Sequence, residues 1–239
     1  MKKIFFTLLI LISFITAVFC GDADANPKPE IDKIFKEKTL DMEDLDEAEK
    51  NIFVANVKQF YKDMKTFQGK FKEEIFLSFI DQTQFLKGNF IFKKEQLFRL
   101  ETEESDLQVI VSDGEILWTH LVDEGICYKR AIEKAEDISA LFEILPIGEF
   151  DTNFNITAAK NRTFYLLELK IKEDAQVKIS YEKIIYILNR ETLHPEIVYL
   201  WTKDGRVLKL IFSETQIDKE LDDSYFKFVV PEKVEVIEY

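Results

Sequence analysis

The amino-acid sequence predicts a mainly β fold, in which one strongly curved antiparallel sheet is accompanied by a few helices. After residue 67, short apolar-rich segments alternate with turn residues, as is typical of strands. One segment with a helical period precedes these strands, and another separates them into two groups. A chain of 239 residues that is 46% hydrophobic and 13% aromatic can bury the core of one large domain, which excludes a disordered protein.

Charge and composition exclude several classes of function. The chain has 45 Asp and Glu residues against 32 Lys and Arg, and its net charge of −13 argues against binding to nucleic acid or to an anionic membrane surface. The whole chain contains 7 glycines, and this low number disfavours a glycine-rich phosphate-binding loop. We therefore expect no nucleic-acid partner.

Residues 1–25 have the features of a cleaved secretory signal peptide. Two lysines follow Met1, an apolar run extends over residues 4–19, and the small residues at 23–25 are typical of a cleavage site. The run is too short for a membrane-spanning helix, which needs about 20 apolar residues. We therefore expect a secreted chain that begins near Asn26.

The alternative to cleavage near Asn26 is that Cys20 carries a lipid anchor. Phe19 stands where lipoprotein processing requires a small residue, which argues against lipidation. If Cys20 is removed with the signal peptide, Cys127 is the remaining thiol of the chain and no intrachain disulfide can form. We expect Cys127 to be a buried free thiol and not a nucleophile.

Candidate catalytic and metal sites have little support in the sequence. His120 and His194 are far apart in the chain, and neither an HExxH motif nor paired cysteines accompany them. No G-x-S-x-G sequence occurs. We therefore expect that the protein is not an enzyme, and that it has no metal and no other cofactor.

The predicted helices lie in two places. Apolar residues at helical spacing predict an amphipathic helix over residues 51–65. The preceding residues 26–50 are mostly charged and are predicted to form a poorly packed leader with one short helix. A second helix is predicted over residues 135–145, where Asp137 is placed as an N-cap and Pro146 stops the last turn.

The predicted strands form antiparallel hairpins. Ser-Asp-Gly at residues 112–114 and Asn-Arg-Glu-Thr at residues 189–192 are typical hairpin turns. The strands at residues 196–201 and 206–212 are apolar at successive positions, so both of their faces need cover from water. An ordinary packed core and an apolar cavity for a lipid-like ligand both satisfy that pattern. The predicted strands are 70–80, 88–92, 96–101, 107–112, 115–120, 182–188, 196–201, 206–212, 225–230 and 233–238.

Two of these strand segments resemble a known family. GNFIFKKEQLFRL at residues 88–100 and QVIVSDGEILW at residues 108–118 resemble the G-x-[LF]-x-[LF]-K-[RK]-P-x-x-F-R-W and Q-x-[LI]-V-S-D-G-x-x-[LI]-W patterns of LolA, the periplasmic carrier of outer-membrane lipoproteins. TKDG at residues 202–205, LIFS at residues 210–213 and LDDSYFKFVVP at residues 221–231 are similar to the family's D-x-x-G, I-x-F and L-x-x-x-x-F-x-F-x-x-P series. The resemblance covers residues 51–237. It departs from the family pattern at Glu95 and Leu100, where the family has proline and tryptophan.

The resemblance implies an incomplete antiparallel β-barrel that is lidded by α-helices around an apolar cavity, with residues 51–239 as the carrier domain. In such a carrier the cavity receives the acyl chains of lipoproteins from an inner-membrane ABC-transporter release complex and passes them to an outer-membrane receptor. Burial of an acyl chain is favourable by about 0.8 kcal/mol per CH₂, so a lipid-anchored protein needs an escort through water. We expect a monomer. The alternatives are a lipid-anchored receptor and a carrier of another amphiphile, such as a glycolipid.

The resemblance also implies a set of functional residues. Arg99 stands where the family's arginine hydrogen-bonds to the lid and holds an empty cavity shut; the alternative role for Arg99 is a surface salt bridge. Side chains alternate along a strand, and the sequence leaves open which face points inward. The other expected site residues are Leu141, Phe142 and Leu145 of the lid helix and Phe90, Phe92 and Trp118 of the cavity wall.

Overall fold

The protein is mainly β in the computed structural model, which describes residues 31–77, 82–94, 96–103, 107–132, 152–175, 181–203 and 206–238. These ranges contain two α-helices, α1 at Ile31–Lys38 and α2 at Glu47–Asp63. The predicted signal peptide over residues 1–25 and the predicted helix over residues 135–145 lie outside the described residues. No helix in the described ranges is both long enough and apolar enough to cross a membrane.

Helix α2 begins before residue 51, the predicted start. Asp46 is its N-cap, and the Asp46 carboxylate accepts a hydrogen bond of 2.8 Å from the backbone N–H of Glu49. The buried stripe of Phe53, Val57 and Tyr61 follows at steps of one turn, as predicted. The cap therefore adds a first turn that the apolar spacing alone does not reveal.

The strands of the described residues pair into one sheet. Pairing is antiparallel throughout, except that the last strand runs parallel to its neighbour. The strands are β1 Glu43–Asp44, β2 Thr66–Leu77, β3 Gln82–Lys93, β4 Leu97–Thr102, β5 Gln108–Asp113, β6 Ile116–Leu121, β7 Ile126–Ala131, β8 Phe154–Lys160, β9 Phe164–Ile171, β10 Tyr181–Asn189, β11 Pro195–Thr202, β12 Arg206–Ile217 and β13 Glu235–Glu238.

The order across the sheet is β1-β8-β9-β10-β11-β12-β2-β3-β4-β5-β6-β7-β13. The two edge strands, β1 and β13, do not pair with each other, so the sheet is open. The predicted hairpins are confirmed, since the side chains of Asp113 and Asn189 each accept two backbone hydrogen bonds within the turns after β5 and β10. The mainly β class and the open, curved sheet are confirmed as well.

One predicted strand is wrong, and four observed strands are missing from the prediction. Strands β1, β7, β8 and β9 are not predicted from the sequence. The predicted strand over residues 225–230 is instead a 3-10 turn at Asp223–Phe226, capped by the carboxylate of Asp222, and an irregular segment after it. Phe226 is fully buried, and the ring of Phe228 lies 5.4 Å from that of Trp118. These alternating aromatic residues pack onto the sheet and do not pair with a strand.

The leader contacts the sheet at several points. The ring of Phe35 on α1 meets that of Tyr199 edge-on, with centroids 5.5 Å apart. Lys38 forms an ion pair with Glu196 at 2.8 Å. The side-chain amide of Asn161 donates to the carbonyl of Lys38 at 2.9 Å. With β1 paired to β8, the leader is therefore attached to the sheet from Phe35 onward, although none of its side chains from Phe35 to Lys50 is buried.

Both faces of the central strands are buried, as predicted. In β10, Ile184, Tyr186 and Leu188 point to the face that packs against α2, which we call the inner face. Ile185 and Ile187 point to the opposite, outer face, where they pack near α1. The sheet therefore has an apolar cluster on each side, and the inner cluster is the larger one.

Gly88 marks a close approach between β3 and β4. A Cβ atom at this position would lie 2.0 Å from the carbonyl oxygen of Glu101 and 2.9 Å from the Cα of Thr102. Both neighbours are backbone atoms that cannot rotate away. We expect Gly88→Ala to lower the free energy of unfolding by about 1–3 kcal/mol in denaturant titrations, whereas Asn89→Ala, at an exposed position, changes it by less than about 0.5 kcal/mol. Equal stability of the two variants would contradict the close approach.

Candidate functional site

The pairing of the strands places apolar side chains in continuous rows across the inner face. Residues that are directly opposite on paired strands point to the same face of a sheet. One row crosses seven strands from β3 to β8, and all but one of its side chains are hydrophobic. It consists of Leu86, Glu73, Leu210, Val198, Tyr186, Leu167 and Ala158.

A cluster of phenylalanines forms a partly exposed part of the inner face. The ring of Phe67 lies 4.8 Å from that of Phe90 and 5.8 Å from that of Phe212, and the rings of Phe90 and Phe212 are 5.4 Å apart. Phe67 is buried, whereas Phe90 and Phe212 are partly exposed, as are the neighbouring side chains of Phe92 and Leu100. We call these five residues the aromatic cluster. Such partly exposed apolar side chains on one face can contact an apolar ligand.

The register separates the predicted cavity-wall residues. Phe90 and Phe92 point to the inner face, within the aromatic cluster. Arg99 precedes the cross-strand partner of Phe90 on β4, so its side chain points to the outer face. Arg99 pairs with Val111, which in turn pairs with Trp118, so Trp118 is on the outer face as well. The structure therefore does not bring Trp118 together with Phe90 and Phe92 on one face, and the contact of each with a ligand stays a prediction.

The described contacts of Arg99 are polar contacts at the outer face. Its guanidinium forms an ion pair with Glu101 at 2.5 Å and donates to the carbonyl oxygen of Tyr225 at 3.4 Å. A surface ion pair was the alternative expectation for this residue. The lid residues Leu141, Phe142 and Leu145 lie outside the described residues, so a contact between Arg99 and the lid stays a prediction.

Comparison with known proteins adds to this geometry. Residues 62–229, more than half of the chain, match the model of the family described as outer membrane lipoprotein carrier protein LolA. The chain belongs to the LolA family. The family resemblance of the sequence is thereby confirmed, and the family is one of binding and transport proteins, not of enzymes.

Individual relatives of this LolA-family chain are distant. It is 28% identical to an outer-membrane lipoprotein carrier protein of Francisella tularensis subsp. novicida over 157 residues, which is 64% of this chain and 71% of the relative. It is 22% identical to one of Methylobacillus flagellatus over 186 residues, 77% of this chain and 88% of the relative. An uncharacterized conserved protein of Thermus thermophilus shares the fold, with a TM-score of 0.51 at 10% identity, covering 79% of this chain and 99% of that one.

One residue of the inner face in this LolA-family chain escapes sequence analysis. Glu73 is buried, and burial raises the pKa of its carboxyl to about 8. Among the described residues, no group lies within hydrogen-bonding distance of its Oε2 atom. Asp and Glu together number 45, so one glutamate does not attract attention. The signal that could have found it is its alternation with Phe71 and Ile75, since β2 is otherwise apolar on that face.

The adjacent glutamate has the opposite environment. Glu74 points to the outer face, where its carboxylate accepts hydrogen bonds from Lys209 at 3.1 Å and from Lys72 at 3.0 Å. Burial alone would raise the pKa of Glu74, but the two lysines outweigh burial and lower it. Lys209 is itself fully buried, so the two side chains form a buried ion pair.

The cysteine and the two histidines considered in the sequence analysis lie in environments typical of structural residues. Cys127 is a buried free thiol, as predicted, and burial raises its pKa. Nδ1 of His194 lies 3.2 Å from the hydroxyl of Thr215, and the ring of His120 packs 5.8 Å from that of Phe228. In the part of the chain that the structure describes, no three His, Cys, Asp or Glu side chains come together as metal ligands.

Proposed function

We propose that this protein is a periplasmic carrier that binds the acyl chains of lipoproteins at the aromatic cluster and ferries lipoproteins from the inner to the outer membrane. The observation that carries the proposal is the aromatic cluster, an apolar and partly open surface on the inner face of a sheet without closed edges. Each CH₂ group of an acyl chain that leaves water for this surface contributes about 0.8 kcal/mol.

The partners proposed for this carrier come from its family. An inner-membrane ABC-transporter release complex would supply the lipoprotein, and an outer-membrane receptor would accept it. The match of residues 62–229 to the lipoprotein carrier family supports this direction of transport. The proposed carrier works as a monomer after removal of residues 1–25. Its net charge of −13 disfavours adsorption to anionic lipid between the two transfer steps.

The proposed cycle requires that the aromatic cluster is covered in the empty carrier and exposed to cargo during loading. Leu141, Phe142 and Leu145 are proposed to cover the cluster when no cargo is bound, as the family resemblance implies. Acyl chains would then replace those side chains against the same rings, so that the apolar area buried is similar in the empty and loaded states. Because most of the binding free energy is offset by displacement of the lid, onward transfer to a receptor remains possible.

Substitution of Phe90 tests the proposed acyl site. We expect Phe90→Asp to weaken binding of the fluorescent fatty acid 11-(dansylamino)undecanoic acid at least tenfold, because a carboxylate must then be desolvated beside the chain. The matched control is Phe85→Asp on the same strand, where the side chain points to the outer face and is 58% exposed. The control should bind the probe as the wild type does. Equal affinity of the Phe90 variant would contradict the proposed site.

A second measurement addresses transport itself. Purified protein added to spheroplasts should release an acylated lipoprotein into the supernatant as a soluble complex. The Phe90→Asp variant should release at most a tenth of the wild-type amount. Binding of the fatty acid without release of lipoprotein would favour a carrier of another amphiphile on the same fold.

A further inference from the structure

Glu73 interrupts an apolar row on the inner face. Its cross-strand partners are Leu86 on β3 and Leu210 on β12, and both are buried in the inner cluster. Along β2, Phe71 and Ile75 point to the same face on either side of it. Glu73 itself is 1% exposed. The carboxyl is therefore surrounded by hydrophobic side chains from three adjacent strands.

One oxygen of the Glu73 carboxyl lacks the hydrogen bond that a buried acid normally has. Buried polar atoms in folded proteins are nearly always hydrogen-bonded, and exceptions call for an explanation. Its Oε2 atom has no partner within the described part of the chain, whereas the neighbouring Glu74 carboxylate has two lysine partners. Burial raises the pKa of Glu73 to about 8, so at neutral pH the group is a carboxylic acid with an O–H to donate.

The Glu73 carboxyl lies close to the aromatic cluster. Phe71 is the next inner-face residue along β2, about 7 Å away at the usual strand rise. Phe71 is also the cross-strand partner of Phe212, which belongs to the aromatic cluster. Glu73 and the aromatic cluster therefore lie on the same face of the sheet, with Phe71 beside both of them. The polar group that every acyl ester or amide carries at the end of its hydrocarbon chain is a carbonyl, which accepts hydrogen bonds and donates none.

We propose that Glu73 is the polar anchor of the acyl site, and that its protonated carboxyl donates a hydrogen bond to the ester or amide carbonyl of a bound acyl chain. This inference rests on the proposed function, because it assumes that acyl chains bind at the aromatic cluster. It adds a chemical preference to that function. A hydrophobic face alone binds any alkyl chain of the right length, whereas a buried donor discriminates in favour of chains that carry a carbonyl.

Displacement of the dansylated fatty acid by two matched competitors tests the anchor. Methyl palmitate carries the ester carbonyl, and hexadecyl methyl ether has a similar length without it. For the wild type we expect roughly tenfold tighter binding of the ester, as one hydrogen bond to a buried donor allows. In Glu73→Leu the ester and the ether should bind within about twofold of each other. Glu73→Gln keeps an N–H donor and should retain at least a threefold preference for the ester. Lys70→Leu, on the outer face of the same strand, is the control and should keep the wild-type ratio.

Each outcome separates the anchor from the carrier function. If Glu73→Leu binds both competitors with the wild-type ratio, the anchor is wrong and the carrier function stands. If the wild type binds neither competitor nor the probe, the proposed function is wrong and the anchor falls with it. Tighter binding of hexadecylamine than of the ester to the wild type, lost in Glu73→Gln, would show an ionised Glu73 that binds ammonium and would overturn the carbonyl assignment.

A last pair of ligands identifies the source of the carbonyl. A dipalmitoylated lipopeptide and dipalmitoylphosphatidylcholine present the same ester groups on different head groups. A tenfold loss in Glu73→Leu for the lipopeptide alone supports an anchor for lipoproteins, and a loss for the phospholipid supports an anchor for membrane lipid. No loss for either ligand would overturn the anchor.

Discussion

Glu73→Gln is expected to be more stable than the wild type by roughly 3 kcal/mol at pH 7 and by roughly 5 kcal/mol at pH 8 and above. The Glu73 carboxyl has an ordinary pKa of 4.5, and burial raises the pKa to about 8 in the folded protein. Each unit of difference corresponds to about 1.4 kcal/mol. Between these two pH values the folded state holds a proton that the unfolded state has released, so the stability of the wild type falls as the pH rises. Glutamine has the same shape and no proton to lose.

Denaturant titrations at several pH values check this expectation. At pH 4.5 the two proteins should have similar free energies of unfolding, and the difference should grow up to pH 8 and then remain constant. Glu232→Gln, at an exposed position in the carboxyl-terminal segment, is the control and should follow the wild type at every pH. Parallel curves for the wild type and Glu73→Gln would show that the Glu73 carboxyl finds compensation in the folded state.

An acid that is expected to lower the stability by this amount needs a physical explanation. Residues that lower the stability of a folded protein without structural benefit are found mainly where function requires them. Leucine or glutamine would fit between Leu86 and Leu210 at lower cost. The acyl anchor proposed above explains why an acid is present there, since a bound carbonyl supplies the partner that the empty protein lacks.

Local sequence signals predicted much of the fold. The apolar stripe of α2 is visible because Phe53, Val57 and Tyr61 recur at a period that a strand cannot satisfy. The turns after β5 and β10 are visible because Asp113 and Asn189 bond their own backbone, whatever lies around them. The need for cover on both faces is visible in the unbroken apolar runs of the central strands.

The candidate site was harder to predict, because it depends on contacts between distant segments. A shift of one residue in the strand pairing moves a strand's side chains to the opposite face of the sheet. The sequence motif that contains Phe90 and Arg99 is the same for either pairing, so it does not show which residue faces inward. Phe226 and Phe228 alternate as a strand would, yet Phe226 lies in a 3-10 turn and Phe228 packs against Trp118 on the outer face. Glu73 and Glu74 are adjacent and identical in type, and their environments differ because their cross-strand neighbours differ.

Glu74→Gln is expected to destabilise the protein by about 3–5 kcal/mol at pH 7, the opposite of the effect at Glu73. Removal of the Glu74 charge leaves the fully buried Lys209 ammonium without its counter-ion, and an uncompensated buried charge is among the most costly defects in a core. The matched control is Glu214→Gln, which breaks an ion pair between the exposed side chains of Lys70 and Glu214. It should change the free energy of unfolding by less than about 1 kcal/mol.

Two further measurements separate the buried charge from a general loss of packing. Because the lysines lower the pKa of Glu74, the stability that the pair contributes should be present at neutral pH and be lost as the pH falls below the ordinary value of 4.5. Lys209→Met combined with Glu74→Leu removes both charges and should recover most of the stability that Glu74→Gln loses. A double variant as unstable as Glu74→Gln would show that packing around the Lys209 chain, and not its charge, is what the outer face requires.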